Sequence, residues 1–80
     1  MKKRTTKAPS SFIVEFDREE DGRWIAEIPK LPGVMAYGTT KPEAVRKVHG
    51  IALRTLADIA EHGKIPSPIA RLFSYEMAHS

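Results

Sequence analysis

Gly22-Arg23-Trp24-Ile25-Ala26-Glu27-Ile28-Pro29-Lys30-Leu31-Pro32-Gly33-Val34-Met35-Ala36-Tyr37-Gly38-Thr39-Thr40-Lys41-Pro42-Glu43-Ala44 is the stretch that decides the fold. Its first part alternates. Trp24, Ala26 and Ile28 fall on one face, Ile25 and Glu27 on the other, so residues 23–28 read as a strand. Pro29-Lys30-Leu31-Pro32-Gly33 cannot continue a ladder, because two prolines remove amide donors and Gly33 permits a turn. Residues 34–37 form a short further strand, closed by Gly38. Thr40-Lys41-Pro42-Glu43 then opens a helix. The Thr40 hydroxyl accepts from the Glu43 amide, the Glu43 carboxylate reaches back to the Thr40 amide, and Pro42 sits in the first turn, where a missing donor costs nothing.

Upstream, residues 11–17 alternate as well. Phe12, Val14 and Phe16 point to one face, Ile13 and Glu15 to the other. Asp17-Arg18-Glu19-Glu20-Asp21-Gly22 is a polar loop whose Asp-Gly suits a hairpin turn, so the first two strands pair antiparallel. Downstream, the helix is expected to reach Glu61, with Gly63 as its left-handed terminator. At ~100° per residue, Ala44, Val45, Val48, Ile51, Ala52, Leu53, Leu56, Ile59 and Ala60 fall in one arc of ~200°. A helix covering one surface needs only a ~100° stripe, so one flank is expected to meet a second partner. Lys64-Ile65-Pro66-Ser67-Pro68 is a rigid link, and residues 69–77 are expected to form a last strand.

The expected architecture is α+β: β-β-β-α-β, a small antiparallel sheet with one helix on one face. Residues 1–10 read as a flexible basic arm and residues 11–78 as a single domain. Ile13, Ile25, Met35 and Leu72 are left on the uncovered face. Such a patch marks an interface, and the small size and open edges point the same way, so a homo-oligomer, a dimer first of all, is expected.

Eighty residues make one domain. A hydrophobic content of 41% with 29% charged residues is that of a globular chain, not a disordered one. Cysteine is absent, which removes disulfides, thiolate metal sites and thiol nucleophiles and fits a reducing, cytoplasmic compartment. No apolar run approaches the ~18 residues of a membrane span, and no apolar region follows the basic N-terminus to make a secretory signal. The net charge of +3 is unevenly placed. Lys2, Lys3, Arg4 and Lys7 put +4 in the first eight residues, whereas from Pro9 onward nine basic residues face ten acidic ones. A nucleic-acid inference therefore attaches to the arm, which can hold phosphates but has no aromatic interleaving to read bases.

No catalytic constellation is legible. His49, His62 and His79 are spaced as no helical or hairpin metal pair is. His49 reads as a half-buried helix residue and His62 as a charge near the helix C-terminus. Glu15 and Glu27 read as exposed surface, and Glu19-Glu20-Asp21 as a solvated loop. There is no Gly-x-Ser-x-Gly elbow, Gly-rich phosphate loop or dinucleotide fingerprint. Trp24 is either an aromatic platform or core beneath the helix, and its strand neighbours favour core. Phe12 and Phe16 read as core. No cofactor or metal is expected, and no enzyme.

Gly22-x-Trp24-x-Ala26-x-x-Pro29-x-Leu31-Pro32-Gly33-Val34-x-x-x-Gly38-x-Thr40-x-x-Glu43-Ala44 resembles the HicB antitoxin family, over residues 12 to about 70. The resemblance implies a partial ribonuclease-H-like fold without nuclease activity, in which Trp24, Pro29, Pro32, Gly33, Gly38, Thr40 and Glu43 serve architecture. It also implies an antitoxin of a type II toxin-antitoxin system, binding a basic HicA-like toxin that cleaves messenger RNA. The acidic loop with Asp17, Glu19, Glu20 and Asp21, beside Ile13 and Ile25, is the feature suited to that partner. Longer relatives bind DNA through a C-terminal domain, which has no counterpart in these 80 residues, so DNA binding is not expected. The alternatives are a nucleic-acid-binding module using Lys2, Lys3, Arg4 and Lys7, and an orphan HicB-like oligomer without a toxin.

Overall fold

The structure, a computed structural model, describes residues 11–78. The basic arm with Lys2, Lys3, Arg4 and Lys7 lies outside the described residues, as does His79. The chain forms strand β1 (Glu15–Arg18), β2 (Trp24–Glu27) and β3 (Met35–Gly38), the long helix α1 (Lys41–Glu61) and a single helical turn α2 (Ser67–Ala70). The sheet has the order β1-β2-β3 with both pairings antiparallel. This is the expected α+β arrangement, with α1 on one face.

The hairpin turn is built as its sequence implies. Gly22 takes φ 91°, its amide donates to the Glu19 carbonyl at 2.9 Å, and the Glu19 amide donates to the Arg23 carbonyl at 2.7 Å. Only glycine enters that backbone region without steric cost. The β2–β3 connection is a packed corner instead of an open loop. Ile28, Leu31 and Val34 are all buried, and their backbones interlock through Leu31 N–H to Ile28 C=O, Val34 N–H to Leu31 C=O and Ile28 N–H to Val34 C=O. Pro29 and Pro32 remain exposed. Their role is to fix φ so that Leu31 turns inward.

The core is a close seam of small residues. Ala26 and Ala36 stand opposite each other on β2 and β3, and α1 lays Ala44, Val48, Ala52 and Leu56 against the sheet. That buried set is one i, i+4 row, narrower than the arc in the sequence. Val45, Ile51 and Ile59 flank it half-buried, while Leu53 is 65% exposed. His49 is exposed too, not half-buried as expected, because it lies beyond the row that meets the sheet.

Both ends of α1 are capped. At the start, the Glu43 amide donates to the Thr40 hydroxyl oxygen at 3.2 Å, as expected. The return contact differs from the expectation: Glu43 Oε1 accepts from the Thr39 amide at 2.6 Å and from the Thr39 hydroxyl at 2.9 Å, one residue before the cap. At the other end Gly63 takes φ 84°, its amide donates to the Ala60 carbonyl, and the Lys64 amide donates to the Ile59 carbonyl. This pair of bonds is a Schellman closure.

Two further expectations are corrected. The last strand over residues 69–77 does not form. Pro66 and Pro68 start a helical turn, Arg71 N–H donates to the Ser67 carbonyl, and residues 73–78 belong to no strand or helix. Phe16 is not core either. It is 46% exposed, because α1 packs over β3 and β2 and leaves β1 at the side. Phe12 and Val14, upstream of β1, pack half-buried against the core, as does Trp24. No helix among the described residues is long and apolar enough to cross a membrane.

Candidate partner-binding face

The sheet has two faces of opposite chemistry, and register alone assigns their members. Phe16 opposes Ala26, which opposes Ala36, on the side under α1. On the outer side, one row runs Asp17–Ile25–Tyr37 and the next runs Glu15–Glu27–Met35. The outer face therefore carries three apolar side chains and three carboxylates. Met35 is 40% exposed, Tyr37 38%, and Ile25 is half-buried between its neighbours. A shallow depression is lined by Glu15, Phe16, Asp17, Ile25 and Glu27.

Glu15 and Glu27 stand directly opposite each other. Like charges in that relation weaken a strand pair, and neither carboxylate has an ion-pair partner among the described residues. A cation from outside would relieve the repulsion. The basic residues around the sheet are otherwise engaged. Arg23 lies over the Tyr37 ring at 4.4 Å and pairs with Asp21 at 2.8 Å. Arg18 lies over Trp24 at 5.5 Å and Lys41 over Phe16 at 3.8 Å. These cations shield the aromatic faces, Lys41 from the first turn of α1 and the two arginines from the hairpin.

The loop acids do not act as one group. Asp21 is neutralised locally: the Arg23 amide, and then its guanidinium, hold its carboxyl below the usual range. Asp17 accepts from the Arg18 amide at 2.7 Å and also faces outward beside Ile25. Glu19 and Glu20 stay in the loop with no ion pair among the described residues. Ile13 is 41% exposed but precedes β1 and has no register partner.

Of the expected contact residues, the structure thus brings Asp17 and Ile25 together and leaves Glu19, Glu20, Asp21 and Ile13 around them. Glu15 and Glu27, which the sequence reads as exposed surface, join the face, and so does Tyr37. Parity was the signal that could have found them, since residues 15, 17, 25, 27, 35 and 37 all alternate to one side. Glu43 is occupied at the helix cap, where the Thr39 amide and hydroxyl, with Lys47 nearby, hold its carboxyl at about 2. No group of three His, Asp or Glu among the described residues is placed to hold a metal ion. No protein-family model matches the chain, and no curated protein or solved structure matches it either.

Proposed function

We propose that this chain is a HicB-like antitoxin of a type II toxin-antitoxin system, a cytoplasmic, non-enzymatic protein that neutralises a basic HicA-like ribonuclease by direct contact. The observation that carries the reading is the outer sheet face, where Ile25, Met35 and Tyr37 sit among Glu15, Asp17 and Glu27. An acidic side along β1 and Glu27 beside an apolar side of Ile25, Met35 and Tyr37 suits a small basic protein: the carboxylates steer the encounter and the apolar side chains supply affinity. The opposed pair Glu15 and Glu27 adds a reason to prefer a cationic partner. The domain is also read as a homo-oligomer, on its small size and open sheet edges.

The experiment is co-expression with a basic ribonuclease encoded beside it, followed by co-purification and an RNA-cleavage assay. The chain is expected to abolish cleavage. Ile25→Lys with Glu27→Lys is expected to weaken binding by roughly 30-fold or more, in line with loss of a central contact of ~2 kcal/mol. Full inhibition by that double variant, folded by circular dichroism, would refute the assignment of the face. Failure of the unaltered chain to bind or inhibit would refute the function.

A further inference from the structure

The segment after α2 carries large apolar side chains that the described residues leave half or more exposed. Ile69 packs against the core, but Leu72 is 73% exposed, Phe73 54%, Tyr75 85% and Met77 89%. The amides of Leu72 and Phe73 donate back to the carbonyls of Ile69 and Ala70, which fixes the direction in which the chain leaves α2. The sequence beyond has a two-residue period, with Phe73, Tyr75 and Met77 of one parity and Ser74 and Glu76 of the other. That is the pattern of a half-buried strand, and aromatic residues favour it. Yet residues 73–78 pair with no strand.

The complement is present on the same molecule. β1 is an edge of the sheet, and all four of its residues are exposed. An edge strand offers a row of unpaired amides and carbonyls to any incoming strand. Phe16 adds an apolar side chain that α1 leaves 46% exposed. The other edge, β3, is less suited, because Ala36 and Gly38 on its inner side are already buried under α1. Among the described residues, a strand-patterned segment thus has no sheet and a sheet edge has no added strand.

We propose that residues 72–77 of one copy add to the β1 edge of a second copy, reciprocally, making a strand-exchanged dimer. Main-chain hydrogen bonds supply the pairing, and Phe73, Tyr75 and Met77 lie on the side of Phe16. A second copy is the occupant because the segment leaves the β1 edge of its own chain unpaired, and because reciprocal exchange closes on a two-fold axis with both edges used. The inference rests on the homo-oligomer part of the proposed function and not on the toxin.

The chain has no cysteine, which makes crosslinking specific. Tyr75→Cys is combined in the full-length protein with Glu15→Cys, Phe16→Cys, Asp17→Cys or Arg18→Cys, one pair at a time, and oxidised mildly. Mixed isotope labelling identifies interchain bonds. At least one pair is expected to give an interchain disulfide joining the C-terminal segment to β1, and Tyr75→Cys with Lys47→Cys none. Separately, Tyr75→Pro with Glu76→Pro removes one ladder donor on each side of the segment. It is expected to weaken dimerisation about 100-fold by sedimentation, with Trp24 fluorescence and helix content unchanged. An intrachain bond, or a proline variant as dimeric as the parent, overturns the exchange but leaves an oligomer standing. A parent chain that is monomeric at about 100 μM, above the range of a marginal dimer, overturns both.

Discussion

Gly38→Ala tests how closely α1 is seated on the sheet. Gly38 ends β3 and is buried. A Cβ there would lie 2.6 Å from the Ala44 amide nitrogen and 3.0 Å from both the Ala44 Cα and the Glu43 Cβ. Restoring an ordinary contact of 3.4 Å needs a shift of roughly 0.8 Å in the first turn of α1. The nearest neighbours are backbone atoms and cannot swing aside. The same turn is tied by the Thr39 amide to Glu43 at 2.6 Å and by the Glu43 amide to Thr40 at 3.2 Å, so the shift also stretches the cap. Overpacking of this kind costs about 1–3 kcal/mol and a lost cap about 1 kcal/mol, against a gain of ~0.5 kcal/mol from replacing a strand glycine. The expected net loss is about 2–3 kcal/mol, a fall in Tm of roughly 10–20 °C for a domain of this size. Urea unfolding followed by Trp24 fluorescence and by helical circular dichroism measures it. A loss below about 0.5 kcal/mol, the range of an ordinary surface change, would refute the close seating of the helix.

Gly50→Ala should act in the opposite direction in the same assay. Gly50 is inside α1, and its Cβ would meet only Arg54 Nη1 at 3.5 Å, an ordinary contact, so stability rises by up to ~1 kcal/mol; a decrease would show that the groove beside Arg46 and Arg54 needs glycine. Val48→Ala empties the one large side chain that is fully buried, and is expected to cost about 2–3 kcal/mol from two lost methyl groups and the cavity they leave; a loss under about 1 kcal/mol would mean the seam collapses onto it. Glu43→Gln tests the cap by pH. The Glu43 pKa is lowered from 4.5 to about 2 by the Thr39 amide and hydroxyl with Lys47, so the stability its charge contributes is complete above pH 4.5 and disappears as pH falls towards about 2. The Tm gap between parent and variant should therefore be constant above pH 4.5 and close below it, and parallel curves down to pH 2 would refute the assignment.

The parts legible in the sequence were those that local chemistry decides. Thr40, Pro42 and Gly63 bracket α1 as expected, and Asp21-Gly22 and Pro32-Gly33 place both turns. What failed was decided by where the helix sits. Alternation put Phe16 on the inner face correctly, but could not show that α1 packs mainly over β2 and β3 and meets Phe16 through Lys41. The last strand failed for a related reason: residues 69–77 have strand-like residues, but a strand needs a partner, and Pro66 with Pro68 begin a helical turn first. On the candidate face, Ile25 and Asp17 were legible, whereas Glu15 and Glu27 gained meaning only from register, which sets them opposite each other. Loop composition suggested four equivalent acids at residues 17–21, and the Arg23 contacts show that Asp21 is already spoken for.

The off-centre helix also partitions the molecule dynamically. β2 and β3 share the buried seam with α1, so their amides are expected to exchange only when the domain unfolds as a whole. β1 is held by one ladder and has no buried residue of its own. Its amides should exchange with solvent through local opening, well before those of Ala26 or Ala36. The domain is thus a rigid α1–β2–β3 unit carrying an adjustable third strand, and Asp17 and Glu15 ride on the adjustable part. Whatever binds that strand would gain by ordering it, and would raise its protection from exchange more than that of any other element.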